Sequence, residues 1–148
     1  MSCKVTKGEA SPEKFQTFED LDVFKTAREF RKAMYAVNRR LPDFEKYDPA
    51  SQIRRAAVSL TNNMAEGHGR FHYLDQIRFF LHSRGSLEEL VDDLNVCLDE
   101  NYLSAHEVAK LKEQAREVLI LRNRSSTVRE RDGAESSTMD EVDEFMPL

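Results

Sequence analysis

Apolar residues recur at helical spacing in four separate stretches of the chain. Val23, Ala27, Phe30, Met34, Val37 and Leu41 alternate by four and three, and Leu21, Phe24 and Tyr35 widen that seam to the breadth a bundle core requires. Ile53, Ala57, Leu60 and Met64, with Ala56 alongside, form a second seam. Ile77, Phe80, Leu87, Val91, Leu94 and Leu98 form a third, with Arg84 at its one polar step, and Val108, Leu111, Ala115, Val118 and Leu119 form a fourth. No segment with the two-residue period of a strand competes with these four.

Local signals bound the seams. Thr17 with Asp20 resembles a capping box, and Pro42 stops the first helix after the basic pair Arg39-Arg40. Asp48-Pro49 places proline at a first helical position, where its missing N–H costs nothing, and Gly67 and Gly69 stand where a left-handed C-terminal residue is expected. Ser104 and Glu107 make an S-x-x-E capping box, and the fourth seam loses its apolar face between Arg122 and Arg131. The predicted helices are therefore roughly 18–41, 49–67, 73–100 and 104–125. Each has one apolar face to hide, so the expected fold is all-α, an antiparallel up-and-down four-helix bundle. Phe79, Phe80 and Leu81 are consecutive and point over about 200° of the third helix, more than one core can absorb, which predicts a subunit interface there.

Composition divides the chain around that bundle. Residues 1–16 are polar and aperiodic and are expected to be a flexible leader; 17–131 form the bundle; 132–148 form an acidic, disordered tail. The tail holds six acidic residues and no Lys or Arg, so the net charge of −5 leaves residues 1–131 at +1. A near-neutral body argues against a uniformly basic nucleic-acid binder and leaves only local basic patches. Cys3 and Cys97 make neither a disulfide framework nor a zinc pattern, and Cys97 reads as a small core residue. With no long apolar run and no signal-peptide pattern, a cytoplasmic protein without membrane contact is expected.

The stretches "FEDLDVFKTAREF", "SQIRRAAVSLTNNMAEGHGR" and "IRFFLHSRGSLEEL" and the turn "NYLS" resemble, in order and spacing, the family of 23S ribosomal RNA intervening-sequence proteins. The resemblance covers about residues 18–120. It implies a four-helix bundle, commonly a ring-like homopentamer, with no established enzymatic activity. It also implies distant kinship with accessory proteins of diversity-generating retroelements, which bind a reverse transcriptase and nucleic acid through basic surfaces. Thr61 stands where the family usually has proline, so a straighter second helix is expected; Arg84 replaces an apolar residue and His72 a serine cap.

The remaining polar residues suggest partner surfaces more than chemistry. Arg54 and Arg55 could meet RNA phosphates, yet Glu66, Glu88 and Glu89 favour structural ion pairs, Arg55 with Glu89 in particular. Arg70, Arg78 and the "LRNRSSTVRER" stretch are the other basic elements. Gln52, Asn62 and Asn63 are expected to satisfy backbone or neighbouring groups. Gly85, inside the third helix, suggests close approach of another helix, and Ser86 beside it has no His–Asp partners. His68 and His72 are separated by a predicted loop, which argues against a metal site, and "DEVD" at 140–143 is a short match in acidic sequence. The expectation is a non-enzymatic, self-assembling interaction or scaffold protein without catalytic residues, cofactor or metal. The alternative is an accessory protein binding RNA or a reverse-transcriptase-type partner.

Overall fold

The structure is a computed structural model that describes residues 17–143, with side chains placed through residue 124. The predicted leader at 1–16 and the last five residues of the tail lie outside the described residues. Four helices account for most of the described chain: α1 (Asp22–Arg40), α2 (Pro49–Gly69), α3 (Tyr73–Asp99) and α4 (Ala105–Asp143). Two short 3-10 turns, Phe18–Asp20 and Asp43–Glu45, precede α1 and α2. Among the described residues there is no strand, and no helix is long and apolar enough to cross a membrane.

The Thr17 amide donates to the Asp20 carboxylate at 3.0 Å, but the turn this closes is the 3-10 turn, and extended Leu21 separates it from α1. All six residues of the first predicted seam are buried, from Val23 to Leu41, and so is Phe24. The second seam is likewise buried throughout, joined by Thr61. The Thr61 hydroxyl accepts from the Arg31 guanidinium at 2.7 Å and lies 3.3 Å from the Val58 carbonyl. At this position α2 continues without a break to Gly69.

The predicted stop of α2 needs correction. Gly67 and Gly69 are both helical, and no glycine among the described residues has a positive φ. Gly67 serves packing instead: a Cβ built there would lie 3.0 Å from the Phe79 Cβ and 3.4 Å from the Gln76 carbonyl oxygen. The left-handed residue lies in the α3–α4 turn, at Asn101 with φ 59°, where the Tyr102 amide bonds back to the Cys97 carbonyl at 2.9 Å. Asparagine tolerates that conformation better than other side-chain-bearing residues.

The third seam also shifts. Buried α3 residues are Phe80, Ser83, Ser86, Leu87, Leu90, Asp93, Leu94 and Cys97, while Arg84 is exposed and takes no step of the seam. Serine can occupy the core here because its hydroxyl is satisfied: Ser83 Oγ donates to the Leu60 carbonyl at 3.0 Å, and Ser86 Oγ bonds Ser59 Oγ at 2.9 Å. As α3 advances from Phe79 to Ser86, the residues it meets on α2 fall from Gly67 to Ser59.

The Ser104–Glu107 box forms in both directions, at 3.0 and 3.2 Å, and starts α4. That helix does not end near residue 125. Its backbone is helical to Asp143, so the acidic segment predicted as a disordered tail from 132 is helical through 143. α1 and α3 each pack against both α2 and α4, which closes a four-helix bundle around Phe30, Met34, Ile53, Leu60, Met64, Leu90, Leu94 and Val118.

Candidate functional site

The polar face of α1 meets that of α2 along a shallow groove. One part is lined by Arg31, Lys32, Tyr35, Arg39 and Val58, and it continues past Tyr35 and Val58 to Arg54, Arg55, Ser59, Asn62 and Asn63. A third part carries on to Arg28, Phe18, Glu19 and Ala65. The helical repeat explains the alignment: Arg28, Arg31, Lys32, Tyr35 and Arg39 fall three or four apart on α1, and Arg54, Arg55, Val58 and Asn62 do the same on α2. The Arg31–Thr61 hydrogen bond fixes how far the two helices slide past one another.

The charge of this groove is largely uncompensated. Among the described residues, Lys32 alone of its six cations has an ion pair, with Glu29 at 2.9 Å, while Arg28, Arg39, Arg54 and Arg55 have none. Forked guanidinium groups around the half-buried Tyr35 ring and the exposed Val58 combine donors for phosphate oxygens with a flat apolar surface. Such an arrangement has the chemistry to take a polyanion with exposed planar groups.

The predicted pairing of Arg55 with Glu89 does not form. The α2–α3 register brings the two residues level, as Ser59 with Ser86 and Leu60 with Ser83 require, but both side chains lie on exposed faces and no ion pair links them. Gln52 and Asn63 do satisfy neighbouring groups. The Gln52 amide donates to Asp48 at 2.7 Å, which takes up the carboxylate expected to cap α2, and the Asn63 amide donates to the Ser59 carbonyl at 2.8 Å. Glu66 pairs with Arg70, whose guanidinium lies 4.9 Å from the centre of the Phe79 ring.

The three residues proposed for an interface separate. Phe80 is buried and belongs to the core, Phe79 is partly buried under Arg70, and Leu81 is exposed. Gly85, Arg78, Arg84 and Glu89 are exposed, and nothing lies within 4 Å of a Cβ built at Gly85, so among the described residues no helix approaches it. The sequence reading missed the contribution of α1 to the groove. Its cations at helical spacing were the available signal, since a polar face with basic residues at 28, 31, 32 and 39 has a stripe of its own.

Elsewhere the polar groups are mostly architectural. Arg40 bonds Glu107 at 2.8 Å, and this bond, with the Ser104 amide, lowers the Glu107 carboxyl to about 2. Tyr102 donates to Glu45 at 2.7 Å, which raises the phenol to about 12. Burial raises Asp93 to about 6, with Glu89 and Asp92 adding to the shift, and its Oδ2 has no hydrogen-bond partner. Cys97 is a buried free thiol raised to about 11 by the same desolvation. Arg122, buried on α4, donates from Nε to the Phe80 carbonyl at 3.3 Å. Among the described residues no three His, Cys, Asp or Glu side chains are grouped to hold a metal.

Comparison with known proteins agrees with the resemblance in the sequence. A family model described as 23S rRNA-intervening sequence protein matches residues 19–123, which include all of α1, α2 and α3 and both sides of the groove. No curated protein matches the chain.

Proposed function

We propose, from the premise that the chain belongs to the 23S rRNA-intervening sequence protein family, that it is a non-enzymatic, cytoplasmic interaction protein whose α1–α2 groove binds RNA. The groove of six cations around Tyr35, most of them without an ion pair among the described residues, carries this reading. Phosphates would meet Arg28, Arg31, Lys32, Arg39, Arg54 and Arg55, and a base could lie on Tyr35. The protein would use no cofactor. The near-neutral body does not oppose binding, because six cations are concentrated on this face against Glu19 and Glu29.

The test is RNA affinity measured against salt. Several phosphate contacts give a log–log slope of several units, and each arginine removed from the groove should lower it by about one. A flat salt dependence, or no loss of affinity in the Arg54→Ala/Arg55→Ala variant, would refute the groove. Binding of a reverse-transcriptase-type protein in place of RNA is the alternative outcome.

A second reading, self-assembly as a scaffold, is favoured by exposed apolar residues at the two ends of α2. Phe44 and Tyr47 are 77% and 85% exposed before it, and Phe71 is 94% exposed after it. A 21-residue helix separates these patches by about 30 Å, so a contact that joins one patch to the other patch of a single neighbour on each side is heterologous and closes into a ring where the rotation between copies allows. We propose the homopentamer that the resemblance implies, built from up-and-down antiparallel bundles. The falling α2 register along α3 supports that helix order. So do the α3–α4 contacts, where Lys112 meets Asn95 and Arg122 meets the Phe80 carbonyl. Light scattering checks the stoichiometry, and a monomeric mass at micromolar concentration would refute it.

A further inference from the structure

Gly85 stands mid-helix and exposed, with open space where a side chain would be. An exposed helical glycine is less favourable than alanine, and neither a turn nor a positive φ calls for one here. The surface around it is ordered. The face of α3 opposite the buried stripe of Phe80, Leu87, Leu94 and Cys97 presents Leu74, Arg78, Leu81, Gly85, Asp92 and Val96, at about 100° per residue. Leu74, Leu81 and Val96 are exposed apolar residues at 77%, 53% and 38%.

Two pairs of residues on this face are placed symmetrically about the glycine, while Leu81, four before it, falls level with Glu89, four after. Leu74 lies eleven residues before Gly85 and Val96 eleven after; Arg78 lies seven before and Asp92 seven after. Charge divides the same way, with Arg78 and Arg84 on the N-terminal side and Glu88, Glu89, Asp92 and Asp99 on the C-terminal side. Two such faces laid parallel would set like charges against each other. Laid antiparallel and crossing at Gly85, they bring Leu74 of each copy level with Val96 of the other. The same register brings Arg78 of each level with Asp92 of the other, twice over by symmetry. The missing side chain of Gly85 lets the two backbones approach at the centre.

We propose that the outer face of α3 is a two-fold self-association surface, closed by antiparallel pairing with α3 of a second copy about Gly85. The occupant is another copy of this chain, because the antiparallel orientation alone sets Arg78 against Asp92 and Leu74 against Val96. The contact is isologous and ends at two, so it draws on neither the RNA groove nor a ring; where a ring also forms, the contact joins two rings.

Sedimentation velocity on the full chain across a concentration series tests the pairing. Arg78→Asp and Asp92→Arg should each raise the dissociation constant at least tenfold, and the combined Arg78→Asp/Asp92→Arg variant should return it to within a few-fold of the parent. Gly85→Leu should abolish the association while its melting temperature at high dilution does not fall, since the new side chain enters open space in the single chain. Reversal halves the mass whether the parent is two copies or two rings, so failure of the ring changes only the starting mass. A parent whose mass never halves on dilution would overturn the proposal. So would a mass unaffected by Arg78→Asp, or a combined variant as weak as either single one.

Discussion

The end of the bundle where α1 leads to α2 and α3 leads to α4 and the groove along α1 and α2 use the same residue types in opposite ways. At the end, Arg40 is held by Glu107, Glu107 also accepts the Ser104 amide, and Tyr102 reaches Glu45. In the groove, Arg39, one residue from Arg40, and Arg54 and Arg55 have no such partners among the described residues. Partnership, more than residue type, separates an arginine that joins elements from one available to a ligand. Sequence proximity is a poor guide, since adjacent helical residues point about 100° apart.

The sharpest way to break this contrast is to reverse charge in each region. Arg54→Glu/Arg55→Glu should weaken RNA binding on the order of a hundredfold near physiological salt, with little change in melting temperature. Arg40→Glu should lower the melting temperature and leave RNA affinity within about twofold, because its side chain lies outside the groove. Equal losses of affinity would show that binding follows total charge and not this surface.

Asp93 is the exception at the orderly end, and it predicts the next largest effect. Its carboxyl is raised to about 6 by burial, above the ordinary 3.8, so the folded state takes up a proton that the unfolded chain does not. Stability should therefore rise as pH falls from above 6 toward 4. Asp93→Asn should raise stability at pH 7 by roughly 1–3 kcal/mol and flatten that limb of the profile. Glu107 has the opposite sign. Its carboxyl is lowered to about 2, so the stability it supplies is present above about 4.5 and is lost as pH falls toward 2. Thermal melts of the parent, Asp93→Asn and Glu107→Gln between pH 2 and 8 separate the two limbs; a profile unchanged by Asp93→Asn would contradict the buried, charged carboxylate.

Capping contributes less. Ser104→Ala removes the hydroxyl that receives the Glu107 amide and should cost about 1 kcal/mol, read by chemical denaturation. A loss much larger than this would mean that the cap also orders the Arg40–Glu107 pair.

What could be read from sequence follows from the same contrast. The α1 and α2 seams were legible because their core positions are apolar throughout, from Val23 to Leu41 and from Ile53 to Met64. The α3 seam was legible only in part: Phe80, Leu87 and Leu94 are core, but Ser83 and Ser86 join them by virtue of hydrogen bonds to α2, and hydrophobic periodicity has no means of counting a satisfied hydroxyl. The glycines of α2 were taken for a stop because glycine signals both a left-handed turn and a close approach; only the position of Phe79 distinguishes them. Half of the groove was legible as Arg54 and Arg55. The other half needed the α1–α2 register, which rests on tertiary contacts such as Arg31 with Thr61.

The smallest prediction compares two helical glycines. Gly67 faces Phe79 Cβ at 3.0 Å from where its own Cβ would be, so Gly67→Ala gains helix propensity but forces a neighbour on α3 to move by a few tenths of an ångström. Gly85→Ala meets nothing within 4 Å and leaves φ unchanged in sign. In the single chain it should therefore stabilise by about 0.5–1 kcal/mol, mainly by reducing the freedom of the unfolded backbone. Equilibrium unfolding at high dilution, where copies are apart, isolates this term. At higher concentration the added methyl group enters the centre of the α3 pairing, so the gain should shrink as the concentration rises. A gain independent of concentration would confirm the open space around Gly85 while denying it a role between copies.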